Sequence, residues 1–333
     1  MSHRQFVKSA LKRGALIAAA NWPVTLVQAI ADSVLKVVVA VPILGSIFLV
    51  ALVLGTEPVA LMSLEWREMA ATTVAALFSH PVVLATFLLA VGVVAVGGSL
   101  FIFLVKAGTV AVLVRSEREA EAIEEPPLHV EMLVRAGRFS VDLFIESSRR
   151  LFPRYARLGL ILMAVYLASA ATYMGVVMAS RSAGESWGMT ALFTALFVTW
   201  VTIVNLLYLL MQIVIAADDC SVAAAAPRVI TFLRHERGMV IRVFLVILAL
   251  VVGATGASFV AAGLLSLIAF VPFVGLAVLP LQLMAWVLRA LVFQYIGLTS
   301  VGTYVKLYRV FAGQVVEGRL KPAPTYGAIV RAG

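Results

Sequence analysis

Charge is what this 333-residue chain has least of. Asp, Glu, Lys and Arg make up 13% of it, about half the share of a soluble domain, while 62% is hydrophobic and the mean hydropathy is +1.05. That balance excludes an ordinary soluble protein and leaves no stretch for an independent catalytic domain. Cysteine is nearly absent, and Cys220 alone excludes an internal disulfide and a thiolate metal cluster. The four histidines, His3, His80, His129 and His235, have no HxxxH or HxxE spacing, so no metal site is expected. There is no GxxxxGK[ST] phosphate loop, and no apolar run holds a pair of carboxylates. The chain is therefore expected to be no enzyme and to carry no cofactor.

What is present is a set of six apolar runs, at about 34–54, 82–105, 158–179, 190–215, 240–265 and 274–304. Each is close to or above the roughly 20 residues that a helix needs to cross a ~30 Å hydrocarbon layer. Barrel strands would be near ten residues long and strictly alternating, which these runs are not. The expected fold class is all-α, a polytopic integral membrane protein forming one membrane domain over 1–333.

Basic residues orient the spans. Of the 26 Lys and Arg, 22 fall in 1–30, 106–157, 216–239, 305–333 and the residues adjoining them, on one side. Arg67 and Arg181 fall on the other, and Lys36 and Arg289 lie inside spans. Since inner-face loops retain Lys and Arg, a multi-pass protein of the bacterial cytoplasmic (inner) membrane with both termini cytoplasmic is expected. The same distribution explains the net charge of +9 and favours anionic lipid headgroups over nucleic acid, for which no binding module is present.

Basic amphipathic segments precede spans one, three and five. In the first, Arg4, Lys8 and Lys12 oppose Phe6, Val7, Ala10 and Leu11, the pattern of an interfacial helix rather than of a signal peptide. In the second, Phe144, Leu151 and Tyr155 oppose Arg149, Arg150 and Arg154, with Pro153 expected to open the next helix. In the third, Val222, Ala226, Val229 and Leu233 oppose Arg228 and Arg234, capped by Asp218, Asp219 or Ser221. The chain thus reads as three hairpin units, each led by a cytoplasmic amphipathic helix. Arg4, Lys8, Lys12, Arg149, Arg150, Arg228 and Arg234 are the expected headgroup contacts. The acidic and basic run RSEREAEAIEEPP is expected to be a solvated helix end and linker, and the loop at 55–81 to hold a short surface helix.

Within the spans, Ala249, Gly253, Ala257 and Ala261 recur every four residues and form a ridge for close helix packing, within the chain or against another subunit. Asn205, Gln282 and Gln294 are the uncharged polar residues expected beside Arg289. A cation inside a span costs a few kcal/mol unless it is paired, hydrated or snorkelled, and no Asp or Glu lies deep in any span. Two readings follow. Arg289 faces a groove and meets a phosphate or another subunit's carboxylate, or Pro280 ends the hydrophobic register early and Arg289 snorkels to the outer interface.

In IVIAADDCSVAAAAPRVITFLRHERGMVIRVFLVIL a span ends at an acidic residue and a basic amphipathic helix leads into the next, and VPFVGLAVLPLQL precedes the last span. In these features the chain resembles an uncharacterised group of six-span bacterial membrane proteins related to the membrane domain of some glycerophosphodiester phosphodiesterases. The resemblance implies a membrane-embedded module and carries over no catalytic residue. VRAGR at 134–138 is similar, in altered order, to the Ala-Arg-Gly coupling signature of energy-coupling transporter subunits. The expected function is a non-enzymatic accessory subunit or lipid-associated scaffold, in contact with lipids and with a partner subunit or a second copy. The alternative is a transporter or permease component for a lipid or small solute, with a path lined by Arg289, Asn205 and Gln282.

Overall fold

The computed structural model describes residues 3–57, 59–60, 63–125, 127, 130–182, 187–269 and 274–317. Among the described residues every regular element is helical: α1 (His3–Ala20), α2 (Trp22–Leu54), α3 (Trp66–Ser79), α4 (Pro81–Glu119), α5 (Val130–Ala136), α6 (Val141–Ser182), α7 (Trp187–Asp218), α8 (Val222–Ala269) and α9 (Val274–Val316). Six of these, α2, α4, α6, α7, α8 and α9, are long and apolar enough to cross a membrane, which supports a multi-pass membrane protein.

These helices exceed what crossing requires. α6 has 42 residues, α8 has 48 and α9 has 43, so each is about 60–70 Å long against a ~30 Å hydrocarbon layer. The extra length corrects the reading of a separate leading helix before the third span: the segment 142–155 runs directly into the apolar stretch, and Pro153 lies inside α6 rather than at its start. α1 is separate from α2, and in α8 a kink at Glu236 (φ −109°, ψ 19°) divides the segment 222–235 from the apolar stretch. Pro280 lies inside α9, as it does in the run expected for the sixth span.

Contacts divide the chain into two compact units, Met1–Ala29 with Lys106–Gly333, and Ile30–Val105. In the unit Ile30–Val105, α3 sets Ala76 and Leu77 against Ile47, Val50 and Ala51 of α2, with Met69, Val83, Leu84 and Phe87 packed around them. This is the short helix expected in the 55–81 loop; Ala76 and Leu77 are buried on it, while Val74 and Phe78 are exposed.

In the unit Met1–Ala29 with Lys106–Gly333, the core gathers at one end of the long helices. Ile17 of α1, Leu113 of α4, Leu151 and Tyr155 of α6, Ile213 of α7, Phe232 of α8 and Tyr304 and Val305 of α9 are all buried. α1 crosses α9 closely because both helices carry glycine at the crossing. A Cβ on Gly14 would lie 2.7 Å from the Thr299 carbonyl oxygen, and one on Gly302 would lie 3.1 Å from Gly14 Cα. The other ends of α6, α8 and α9 leave apolar side chains such as Leu167, Phe259 and Leu283 exposed.

Candidate functional site

Two grooves and one buried ionic cluster concentrate the polar chemistry of the larger unit. The first groove, of about 760 Å³, lies between α6, α7 and the start of α8. Leu158, Ile161 and Val165 of α6 and Val204, Leu207 and Met211 of α7 form its apolar trough, and Arg154, Arg157 and Ser221 stand at its mouth. Arg154 and Arg157 share one helix face three residues apart. Arg154 pairs with Asp219, which holds a left-handed backbone (φ 50°) between α7 and α8 and also takes Arg150 at 3.4 Å. Arg157 is exposed and forms no ion pair among the described residues. Ser221 accepts the Ala224 N–H at 3.3 Å and so is the one of the three expected candidates that caps α8, and Val222 and Ala223 of its first turn line the same groove. Tyr208 also lines this groove, and its hydroxyl is buried.

The second groove, of about 550 Å³, lies between the apolar parts of α8 and α9. It brings together residues expected separately, since Ala257 and Ala261 of the ridge line it beside Gln282 and Arg289, with Ser258 and Trp286. Arg289 is exposed, stands 5.7 Å from the centre of the Phe293 ring, and forms no ion pair among the described residues. Ala249 and Gly253 continue the ridge, exposed, and a Cβ on Gly253 would meet nothing within 4 Å.

The other expected polar residues fall elsewhere. Asn205 on α7 accepts a hydrogen bond from the Tyr166 hydroxyl of α6 at 2.7 Å, and Gln294 is half-buried on α9 outside the groove. Of the expected headgroup contacts, Lys8, Arg149 and Arg234 are exposed, Arg228 pairs with Asp218 at 2.5 Å, and the Arg4 side chain lies outside the described residues. Lys12 turns inward instead and donates to the Glu124 carbonyl at 2.8 Å.

The reading of RSEREAEAIEEPP as a solvated linker is corrected by the ionic cluster. Glu117 is fully buried and receives Arg13 Nε at 2.6 Å, while Arg13 Nη1 reaches Glu124 at 2.6 Å. The same guanidinium donates to the carbonyls of Ala120 and Glu121, so Arg13 satisfies acceptors left over where α4 ends. Arg309 reaches the Glu117 carbonyl at 2.5 Å, and Lys306 lies 3.7 Å from Glu124. Buried Asn21 separates α1 from α2, donating to Ile17 O and Ser116 Oγ and accepting the Arg138 N–H. Burial alone would raise Glu124. The hydrogen bond from Arg13, the residue's own backbone amide and the charges of Arg13 and Lys306 outweigh it and hold the carboxyl below its ordinary range.

No family model, curated protein or solved structure matches this chain. Functional reading therefore rests on the residues. Among the described residues no three of His, Cys, Asp and Glu gather where a metal could sit. Burial, reinforced by Asp218 and opposed by Arg228, pushes the Cys220 thiol above its ordinary value, which makes it a poor nucleophile. One catalytic spacing does occur: GESWG at 184–188 has the letters of a G-x-S-x-G nucleophile elbow. That elbow needs a strand leading into the serine, and this segment joins two helices, α6 ending at Ser182 and α7 starting at Trp187. Residues 183–186 themselves lie outside the described residues.

Proposed function

We propose that this protein is a non-enzymatic, lipid-associated module of the bacterial inner membrane, an accessory subunit or scaffold whose bound ligand is an anionic phospholipid. In this reading both termini are cytoplasmic and the chain is three hairpin units, each led by a basic amphipathic segment. The observation that carries it is the first groove, where a cation without a partner tops an apolar trough. From Arg157 to Val165 the trough descends about 12 Å, close to the depth of one leaflet. Arg157, Ser221 and the first N–H groups of α8 suit a phosphate, and the trough between α6 and α7 suits an acyl chain. The 22 basic residues on one side support the same leaflet, each suitably placed cation adding about 1 kcal/mol with anionic lipid.

Extraction into native lipid particles, followed by mass analysis of everything retained at fixed stoichiometry, tests the reading. An anionic phospholipid enriched over the bulk membrane is expected, and Arg157→Leu should reduce its retention about tenfold, in line with one charge-assisted contact. Equal retention by the variant, or no enrichment, overturns the reading. A transport role is the second reading, favoured by the joining of Gln282 and Arg289 in one groove. Asn205, bonded to Tyr166, does not belong to that groove.

A further inference from the structure

The groove between α8 and α9 has a different character from the lipid groove. Its floor consists of Ala257, Ser258 and Ala261, and one wall carries Gln282, Trp286 and Arg289. We propose that it receives a transmembrane helix of a different protein, one carrying a carboxylate level with Arg289.

Depth is the first argument. Arg289 is about 13 Å along α9 from Pro280 and about 26 Å from Lys306, well inside the ~30 Å hydrocarbon layer, whereas a phospholipid phosphate stays at its edge. The groove therefore needs an occupant that brings its own anion to this depth, and a helix with a buried Asp or Glu does so. Charge is the second argument. Among the described residues Arg289 has no acidic partner and the Gln282 amide forms no hydrogen bond, while the Phe293 ring lies 5.7 Å from the Arg289 guanidinium. Both polar groups are costly in hydrocarbon without a partner, and they lie two helical turns apart on one face. The occupant would thus present a carboxylate to Arg289 and a second polar group to Gln282. Shape is the third. The ridge from Ala249 to Ala261 is exposed, and small residues at this spacing let a helix backbone approach closely. A second copy of this chain does not fit. A two-fold contact on this face would set Arg289 against Arg289, and none of the six apolar runs contains Asp or Glu.

The test uses the full-length protein in phosphatidylcholine vesicles with synthetic single-span Leu/Ala peptides carrying a central Glu, Gln or Lys, and reads association by energy transfer between fluorophores. The Glu peptide is expected to bind at least about tenfold more tightly than the Gln peptide, the Lys peptide not at all, given the coupling of close charge pairs. Arg289→Leu should remove the Glu preference, Arg289→Lys should keep part of it, and Ala257→Leu should weaken Glu-peptide binding by filling the floor. Circular dichroism checks that each variant folds, and the Lys variant keeps the test decisive if the Leu variant does not. Equal binding of the Glu and Gln peptides, or a Glu preference that survives Arg289→Leu, overturns the proposal. So does loss of that preference when phosphatidylglycerol is added, since the groove would then take a lipid phosphate. None of these outcomes bears on Arg157 and the first groove.

Discussion

In the unit Met1–Ala29 with Lys106–Gly333, the same four long helices α6 to α9 behave in two ways along their length. At one end Tyr155, Phe232 and Tyr304 are buried and Arg13, Glu117, Glu124 and Arg309 interlock. Along the apolar stretches Leu167, Phe259, Leu264 and Leu283 are exposed and two grooves stand open. The first region is held by its own side chains. The second has surfaces that only a surrounding apolar medium or another helix can cover, and its grooves are lined by Arg157 and Arg289, which form no ion pair among the described residues.

If the comparison is right, damage at the packed end should far exceed damage along the apolar stretches. The sharpest case is Glu117→Ala, which leaves Arg13 buried without its main partner and should cost about 3–5 kcal/mol of stability in denaturant unfolding of the purified protein. A variant as stable as the native chain would mean that apolar contacts alone hold this end. Next is Gly14→Ala, whose added methyl would press on the Thr299 carbonyl and part α1 from α9, at about 1–3 kcal/mol in the same assay. Ser221→Ala removes the cap of α8 at the groove mouth and should cost about 1 kcal/mol, readable as a lowered melting temperature.

Acid provides a milder probe of the packed end. Because Glu124 is held below its ordinary range in the folded protein, its contribution is complete at neutral pH and is lost as pH falls below about 4, through the folded-state value. Proteolysis between α4 and α6 should therefore rise in that window while total helix signal stays constant. Cleavage that does not rise anywhere below that point would mean that Glu124 does not hold this end. Smallest of all, Leu264→Ala on the apolar stretch should shift stability by no more than about 0.5 kcal/mol, because lipid chains are as apolar as leucine.

The six apolar runs were legible in the sequence because each is defined by its own composition, independent of partners. Ser221 as a cap and the small-residue ridge were legible for the same reason, being matters of spacing within one helix. Lys12 and Glu117 were misread because their partners lie far along the chain: Arg13 meets Glu117 across 104 positions. A basic residue on an amphipathic helix has the same letters whether it faces a headgroup or a distant carbonyl. Pro153 misled for a related reason. It carries a local tendency to open a helix, and α6 continues through it. Gln282 and Arg289 were legible together, two helical turns apart on one face. That the α8 ridge meets them depends on how α8 and α9 pack, and spacing alone does not specify that.

The crossing of Gly14 with Thr299 and Thr303 also orders events in time. α1 is synthesised well ahead of the surface on α9 that receives it. At about 5–20 residues per second, roughly 15–60 s separate the two. During that interval Arg13, Ile17 and Ala18 have no native seat on α9, and the buried ion pairs cannot be complete without Lys306 and Arg309. α1 must wait at the membrane surface or in the hold of another protein, and the closing of the ionic cluster marks the moment when the chain has been made through α9.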